Sequence, residues 1–291
     1  MKLLVYGAGA LGTFYAARLH EAGHDVSLLA RGKRLTDLRE HGVRLAEGTS
    51  PDIRRIPVPV VEKPAGAYDL ILVIVRTHQV DEVLRTLVHV EGDVLFLLNW
   101  AAGPEPLGAA IGPERVLLGF PASGGTLDGD VLRYRPTNLV TRRIAMAVGE
   151  PDGRTTPRVE RVVEMFRAAG LPARTEPRVD AYLKTHAAVE VPLGQASNAA
   201  GGPESLAGDP GAVRAMIRHM RRNLAALPTP PVPRAVAAVR TLPEGVLIAV
   251  LRRFLRSPTA TNGFVYATPA ATAELQRMAE QVTASRRGAA L

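Results

Sequence analysis

Six consecutive residues, Gly7-Ala8-Gly9-Ala10-Leu11-Gly12, constrain this chain more than any others. They follow a short apolar run, Lys2–Tyr6, that reads as a strand. They also open a stretch, residues 11–22, in which Leu11, Tyr15, Leu19 and Ala22 recur at helical spacing until Gly23 supplies a stop. Three glycines between a strand and a helix have a physical use in holding a dinucleotide. The first makes the tight turn, the second lets backbone approach a pyrophosphate, and the third lets the helix pack on the strand. The helix N-terminus then faces the phosphates with unpaired N–H groups and a partial positive charge. Gly7, Ala8, Gly9, Ala10, Leu11 and Gly12 are therefore candidate cofactor-binding residues.

The pattern that follows supports the same fold. Residues 25–30 read as a second strand, 34–41 as a helix, 70–75 as a fully buried strand of Leu, Ile and Val, and Val80–Leu87 as another helix. Strands are expected at 94–98 and 116–119. Asp128-Gly129 and Pro136 then punctuate an antiparallel extension ending in 144–148, where Ile144 begins the run, and residues 156–169 form a last helix. Alternating strands and helices imply a parallel sheet covered on its faces. Beyond about residue 177 the strand signals stop, and turns are marked by Gly201-Gly202-Pro203 and the proline-rich stretch 228–233. The expected fold is α/β: a Rossmann domain with a parallel sheet over residues 1–176 and an all-helical domain over 177–291. The helical domain is expected to handle substrate and to form a homodimer, and the tail 285–291 to fray.

Composition narrows the chemistry. At 291 residues and 46% hydrophobic, the chain can bury the cores of two domains. The absence of cysteine rules out a disulfide framework, a thiolate nucleophile and a cysteine-based zinc site. No apolar run approaches a membrane span, and the first one stops at Gly7, too early for a signal peptide, so a cytoplasmic location is expected. The net charge of +8 is scattered in short groups such as Arg142-Arg143, Arg221-Arg222 and Arg252-Arg253. With only 4% aromatic residues to stack on bases, it reads as a solvated surface with local anion sites and not as a nucleic-acid interface. Ser123, in Pro-Ala-Ser-Gly-Gly, does not meet the G-x-S-x-G pattern of a hydrolase elbow. Only four of the 36 basic residues are lysines (Lys2, Lys33, Lys63 and Lys184), which makes a lysine near a site notable.

The end of the second strand speaks to the type of dinucleotide. NAD-binding folds place a carboxylate there for the ribose 2′-hydroxyl. This chain has Ala30-Arg31, nineteen residues after Gly12, with Lys33 and Arg34 close by. Those cations suit a 2′-phosphate, so the expected cofactor is NADPH, with Arg31 as its 2′-phosphate ligand.

Several segments together resemble the ketopantoate reductase (2-dehydropantoate 2-reductase) family. They are residues 5–19 with their glycines, 26–34 as VSLLARGKR, 69–80 as DLILVIVRTHQV, 97–99, and the strand–helix unit 144–170. The resemblance implies reduction of a 2-oxo acid by NADPH held between a Rossmann domain and a helical one, as in pantothenate biosynthesis. It assigns Gly7 to Gly12 to the pyrophosphate, Arg31 to the 2′-phosphate and Asn99 to the neighbourhood of nicotinamide and substrate. Arg76 falls where the family usually carries a cofactor-contacting lysine. The family's catalytic lysine matches Lys184 in DAYLKTHAAVEVPLGQASN. Helical counting independently stacks Lys184, Ala188, Val191, Gln195 and Asn198 on one face, unless Pro192 disturbs the register. That makes Gln195 and Asn198 candidate substrate contacts. An ammonium there can stabilise developing alkoxide charge and donate a proton, which a guanidinium does poorly.

The chain also departs from that pattern. Ala188 and Val191 stand where the family has substrate-binding asparagines, and Pro258-Thr259-Ala260 where it has an acidic residue. His186 and Glu190, spaced i and i+4, could face one another, but two such groups do not make a metal site and none is expected. Two readings follow: an NADPH-dependent reductase of a small carbonyl or imine compound, or a non-catalytic NADPH-binding protein that has lost the family's substrate groups.

Overall fold

The computed structural model describes residues 1–122, 124–134, 145–257, 260–261 and 268–288. Ser123, Pro136, Arg142, Arg143, Ile144, Pro258, Thr259 and the last three residues lie outside them. The chain divides into two compact units. The first comprises Met1–Val75, Gln79–Leu98 and Pro104–Val179; the second comprises Arg76–His78, Asn99–Gly103 and Asp180–Leu291.

The first unit is built on an eight-stranded sheet in the order β12-β11-β8-β7-β6-β1-β2-β5. Its strands are β1 (Lys2–Tyr6), β2 (Asp25–Leu29), β5 (Val60–Val61), β6 (Leu70–Val73), β7 (Asp93–Leu97), β8 (Val116–Phe120), β11 (Met146–Gly149) and β12 (Ala173–Thr175). All adjacent pairs are parallel except β11 against β8. Central strands buried on both faces need continuous apolar runs, and β6 is Leu-Ile-Leu-Val with every residue buried. Helices α1 (Ala10–Glu21), α2 (Gly32–His41), α3 (Val80–Leu87), α4 (Glu105–Ile111) and α5 (Pro157–Ala168) belong to this unit. Tyr15 of α1 meets Phe166 of α5 edge to face at 5.9 Å, inside a cluster that also holds Leu3, Val5, Leu28 and Leu72.

A second, four-stranded sheet differs from the expectation for this half. Its order is β4-β3-β10-β9, formed by β3 (Val43–Glu47), β4 (Arg54–Ile56), β9 (Gly125–Asp128) and β10 (Val131–Tyr134). The Asp128-Gly129 turn does join a hairpin, with Gly129 at φ +61°. That hairpin pairs in parallel with β3, whereas β11 returns to the main sheet. Short strands such as Arg-Arg-Ile, with two exposed arginines, carry no apolar alternation from which to recognise them.

The second unit contains α6 (Val179–Ala200), α7 (Pro203–Gly208), α8 (Pro210–Ala225), α9 (Ala238–Thr241), α10 (Glu244–Leu255) and α11 (Pro269–Gly288). No strand occurs among its described residues. Helix α6 continues through Pro192. It packs closely on α11: a Cβ at Gly194 would lie 2.6 Å from Leu275 Cδ2. Buried Asn223 of α8 donates to the Ala188 carbonyl at 3.1 Å, and Thr185 Oγ1 accepts from Val232 N at 3.0 Å. The tail expected to fray from residue 285 instead stays helical to Gly288, and Ser285 Oγ donates to the Ala101 carbonyl at 2.9 Å. No helix among the described residues is long and apolar enough to cross a membrane.

Candidate functional site

In the first unit the glycine turn links the end of β1 to α1. Gly7 has φ +118°, a left-handed conformation that favours glycine, and a Cβ there would sit 2.3 Å from the Ile74 carbonyl oxygen. A Cβ at Gly12 would fall 1.8 Å from the Gly7 carbonyl oxygen, so helix and strand can approach only without one. At Gly9 a Cβ would meet nothing within 4 Å. The first and third glycines are thus required by the protein's own packing, whereas the second faces open space. Gly9 is also the N-cap of α1, with no side-chain cap and no acidic residue in the first turn. The first-turn N–H groups of a helix have no intrahelical partner. This cradle fits a dinucleotide's diphosphate.

Arg31 ends the β2 segment and caps α2 in an extended conformation. Its Nη2 donates to Tyr6 Oη at 2.6 Å, and the guanidinium lies over the Tyr6 ring, 5.7 Å from the centroid. Its Nη1 pairs with the carboxylate of Glu82 on α3. A carboxylate nonetheless faces this strand end: it arrives from α3, 51 residues along the chain, where no local spacing announces it. The neighbouring cations divide. Lys33 is solvated and paired with Asp37 at 3.0 Å. Arg34 turns inward, its Nε 3.2 Å from the Ala8 carbonyl and its Nη2 3.4 Å from Thr13 Oγ1, bracing the glycine turn. Burial pulls the Arg34 guanidinium below its ordinary value, against Asp37 and Asp130.

In the second unit, Arg76 and Asn99 meet Glu274 of α11. Glu274 Oε2 accepts from Arg76 Nη1 at 2.5 Å and Oε1 from Asn99 Nδ2 at 3.4 Å. Thr77 Oγ1 donates to the Asn99 carbonyl at 2.6 Å, which fixes the backbone. Asn99 Oδ1 is buried with no partner among the described residues, an acceptor left for a ligand's N–H or O–H. Ala260, where the resemblance calls for an acidic residue, is fully buried. Two turns further along α11, Gln281 Oε1 accepts from Ala101 N at 2.9 Å.

Lys184 lies on α6 with 16% of its side chain exposed, and its Nζ donates to Asp180 Oδ2 at 2.6 Å. Asp180 Oδ1 is buried without a partner among the described residues. Of the residues stacked with Lys184, Ala188 and Val191 are buried and apolar, while Gln195 is exposed beside Gln276, Ala279 and Glu280 of α11. Eleven helical positions separate Lys184 from Gln195, about 16 Å, too far for both to hold one small carbonyl. Asn198, nearer still to the helix end, is half-buried. His186 Nε2 stands 3.9 Å from Glu190 Oε2, and burial pushes the imidazole down to about 4, so it is neutral near pH 7. No group of three or more metal-ligating side chains occurs among the described residues.

Residues 3–138 match the family model described as Ketopantoate reductase PanE/ApbA. The 2-dehydropantoate 2-reductase of Mesorhizobium japonicum is 29% identical over 212 residues, covering 63% of this chain and 63% of that protein. Across the first curated relatives the chain spans only 54–63% of their length. Among solved structures, the 2-dehydropantoate 2-reductase from Porphyromonas gingivalis is similar over 97% of this chain and 99% of its own, with a TM-score of 0.67 and 20% identity. D-mandelate dehydrogenase, solved with NADH and anilino(oxo)acetate, is similar over 100% of both chains, with a TM-score of 0.69 and 16% identity. At these identities the structures speak for the fold: an N-terminal Rossmann unit followed by a helical one.

Proposed function

We propose that this chain, which is ketopantoate reductase-like over residues 3–138 and has the fold of that family, is an NADPH-dependent oxidoreductase. In this reading it transfers hydride to the carbonyl of a small 2-oxo acid or a related carbonyl or imine compound. The observation that carries the reading is the open cradle at Gly9 within the same unit as the Arg31 guanidinium. One feature accepts a diphosphate and the other suits a 2′-phosphate.

Bound there, the reduced dinucleotide supplies the hydride, and the remaining work falls to the chain. Gly7 to Gly12 and the start of α1 hold the diphosphate, and Arg34 keeps that turn in shape from behind. Asn99, clamped through its backbone by Thr77 and through Nδ2 by Glu274, offers Oδ1 to orient a ligand donor. Arg76, held by Glu274, contributes positive charge in the same cluster. Lys184 stabilises the negative charge that develops on the carbonyl oxygen and gives that oxygen its proton. An ammonium has three donors, so the bond to Asp180 fixes the side chain and leaves two for substrate.

A second reading, an NADPH-binding protein without catalysis, is favoured by Ala188 and Val191. Both are apolar and buried where the resemblance calls for substrate-binding asparagines. NADPH oxidation by the whole chain, screened against 2-oxo acids, ketones and imines, tests the two together. Turnover of any member supports the reductase; tight NADPH binding with no turnover across the panel supports the alternative.

A further inference from the structure

Arg31 does not present its guanidinium unopposed. Its Nη2 is held by Tyr6 Oη, which in turn donates to Thr86 Oγ1 at 3.3 Å, and its Nη1 is held by Glu82. Glu82 and Thr86 are one turn apart on α3, so a single helix face closes over this arginine. The nearby cations cannot take over its part. Lys33 is 88% exposed and engaged with Asp37, and Arg34 is spent on the glycine turn. The side chain of Glu82 is 57% exposed, so an arriving group can reach the pair.

We propose that Glu82 is a specificity-determining residue that works against the 2′-phosphate and so narrows the preference for NADPH over NADH. The inference rests on the reading of Arg31 as the 2′-phosphate ligand. A phosphate reaching Arg31 must displace the Glu82 carboxylate or sit beside it, and either way it meets a like charge. A ribose 2′-hydroxyl in the same place meets an acceptor, the role that the strand-end acid plays in NAD-binding folds. One side chain thus penalises the phosphorylated ribose and assists the plain one. The alternative role for the pair is preorganisation, in which Glu82 holds Arg31 ready for the phosphate. It predicts the opposite sign.

The test uses the full chain and its Glu82→Gln and Arg31→Ala variants, with 2′,5′-ADP, 5′-ADP, NADPH and NADH titrated by calorimetry or fluorescence. Glu82→Gln should tighten 2′,5′-ADP and NADPH by roughly two- to fivefold, the size expected of an exposed charge, with the gain shrinking as salt is raised. 5′-ADP should be unaffected and NADH unchanged or weaker. A Glu82→Gln variant whose NADPH to NADH ratio is unaltered or lower overturns the inference. Arg31→Ala separates that failure from a deeper one. If it weakens NADPH and 2′,5′-ADP while Glu82→Gln changes nothing, only the role of Glu82 falls; if NADPH binds Arg31→Ala as tightly as the parent, the 2′-phosphate reading itself falls.

Discussion

Glu274 Oε2 accepts a hydrogen bond from Arg76 Nη1 at 2.5 Å, although 198 positions separate the two residues in the chain. Glu274 is 15% exposed and Arg76 42%, so solvent screens the pair from the arginine side. A double-mutant cycle on Arg76→Ala and Glu274→Gln, read by denaturant unfolding, should give a coupling of about 1 kcal/mol. Additive losses would show that the pair contributes nothing and that Arg76 is held by other contacts.

Gly9→Val should leave the unliganded protein within about 1 kcal/mol of the parent, a cost set by the N-cap preference for glycine, because its φ of −71° suits any residue and nothing lies within 4 Å of an added Cβ. The same variant should lose the thermal stabilisation that NADPH confers on the parent. Gly12→Val is the contrast: with a carbonyl oxygen 1.8 Å from the added Cβ, it should cost about 3 kcal/mol or more without any ligand. Thermal scans with and without NADPH distinguish the two. A Gly9→Val protein that still gains stability from NADPH would remove the diphosphate from this turn.

Lys184→Ala should lower kcat by on the order of 10²–10³, about 3–4 kcal/mol of barrier, once a substrate is in hand, with NADPH affinity nearly intact. Lys184→Arg should recover only part of the rate, since guanidinium donates hydrogen bonds but not readily a proton. Steady-state kinetics alongside cofactor titration checks both statements. Loss of NADPH affinity in proportion to rate would make Lys184 a cofactor residue.

His186 gives a pH dependence with a definite sign. Its folded-state value, about 4, lies below the ordinary 6.5, so the unfolded chain binds the proton more readily. Stability from this group is complete above pH 6.5 and drains away as the pH falls towards 4. His186→Gln should flatten the profile across that window. Equal slopes for parent and variant between pH 6.5 and 4 would mean that solvent already reaches the ring.

The parts of the site that were legible in the sequence are those made by neighbours in the chain. Gly7 to Gly12 work as one turn, and Arg31 follows from its place at the end of a strand. The buried strands announced themselves because a run such as Leu70–Val73 has no soluble alternative. What sequence reasoning missed was assembled over distance. Glu82 reaches Arg31 across 51 residues and Glu274 reaches Asn99 across 175, and no periodicity links such positions. Arg34 was legible as a cation but not as a brace, because its direction is set by the Ala8 carbonyl. The face counted from Lys184 to Asn198 kept its helical register through Pro192, yet counting could not say that Ala188 and Val191 would be buried and Gln195 exposed.

The second unit draws five residues, Asn99–Gly103, from the N-terminal half of the chain, and Ala101 among them is buried with Ala187, Val191, Met278 and Val282. Gln281 further accepts from the Ala101 N–H and Ser285 donates to the Ala101 carbonyl. Grafting a relative's helical portion onto this chain at residue 180 would therefore transplant a core with one of its own pieces left behind. An exchange of modules between such proteins has to carry Arg76–His78 and Asn99–Gly103 with the helices, so that the smallest transferable part is three segments and not one.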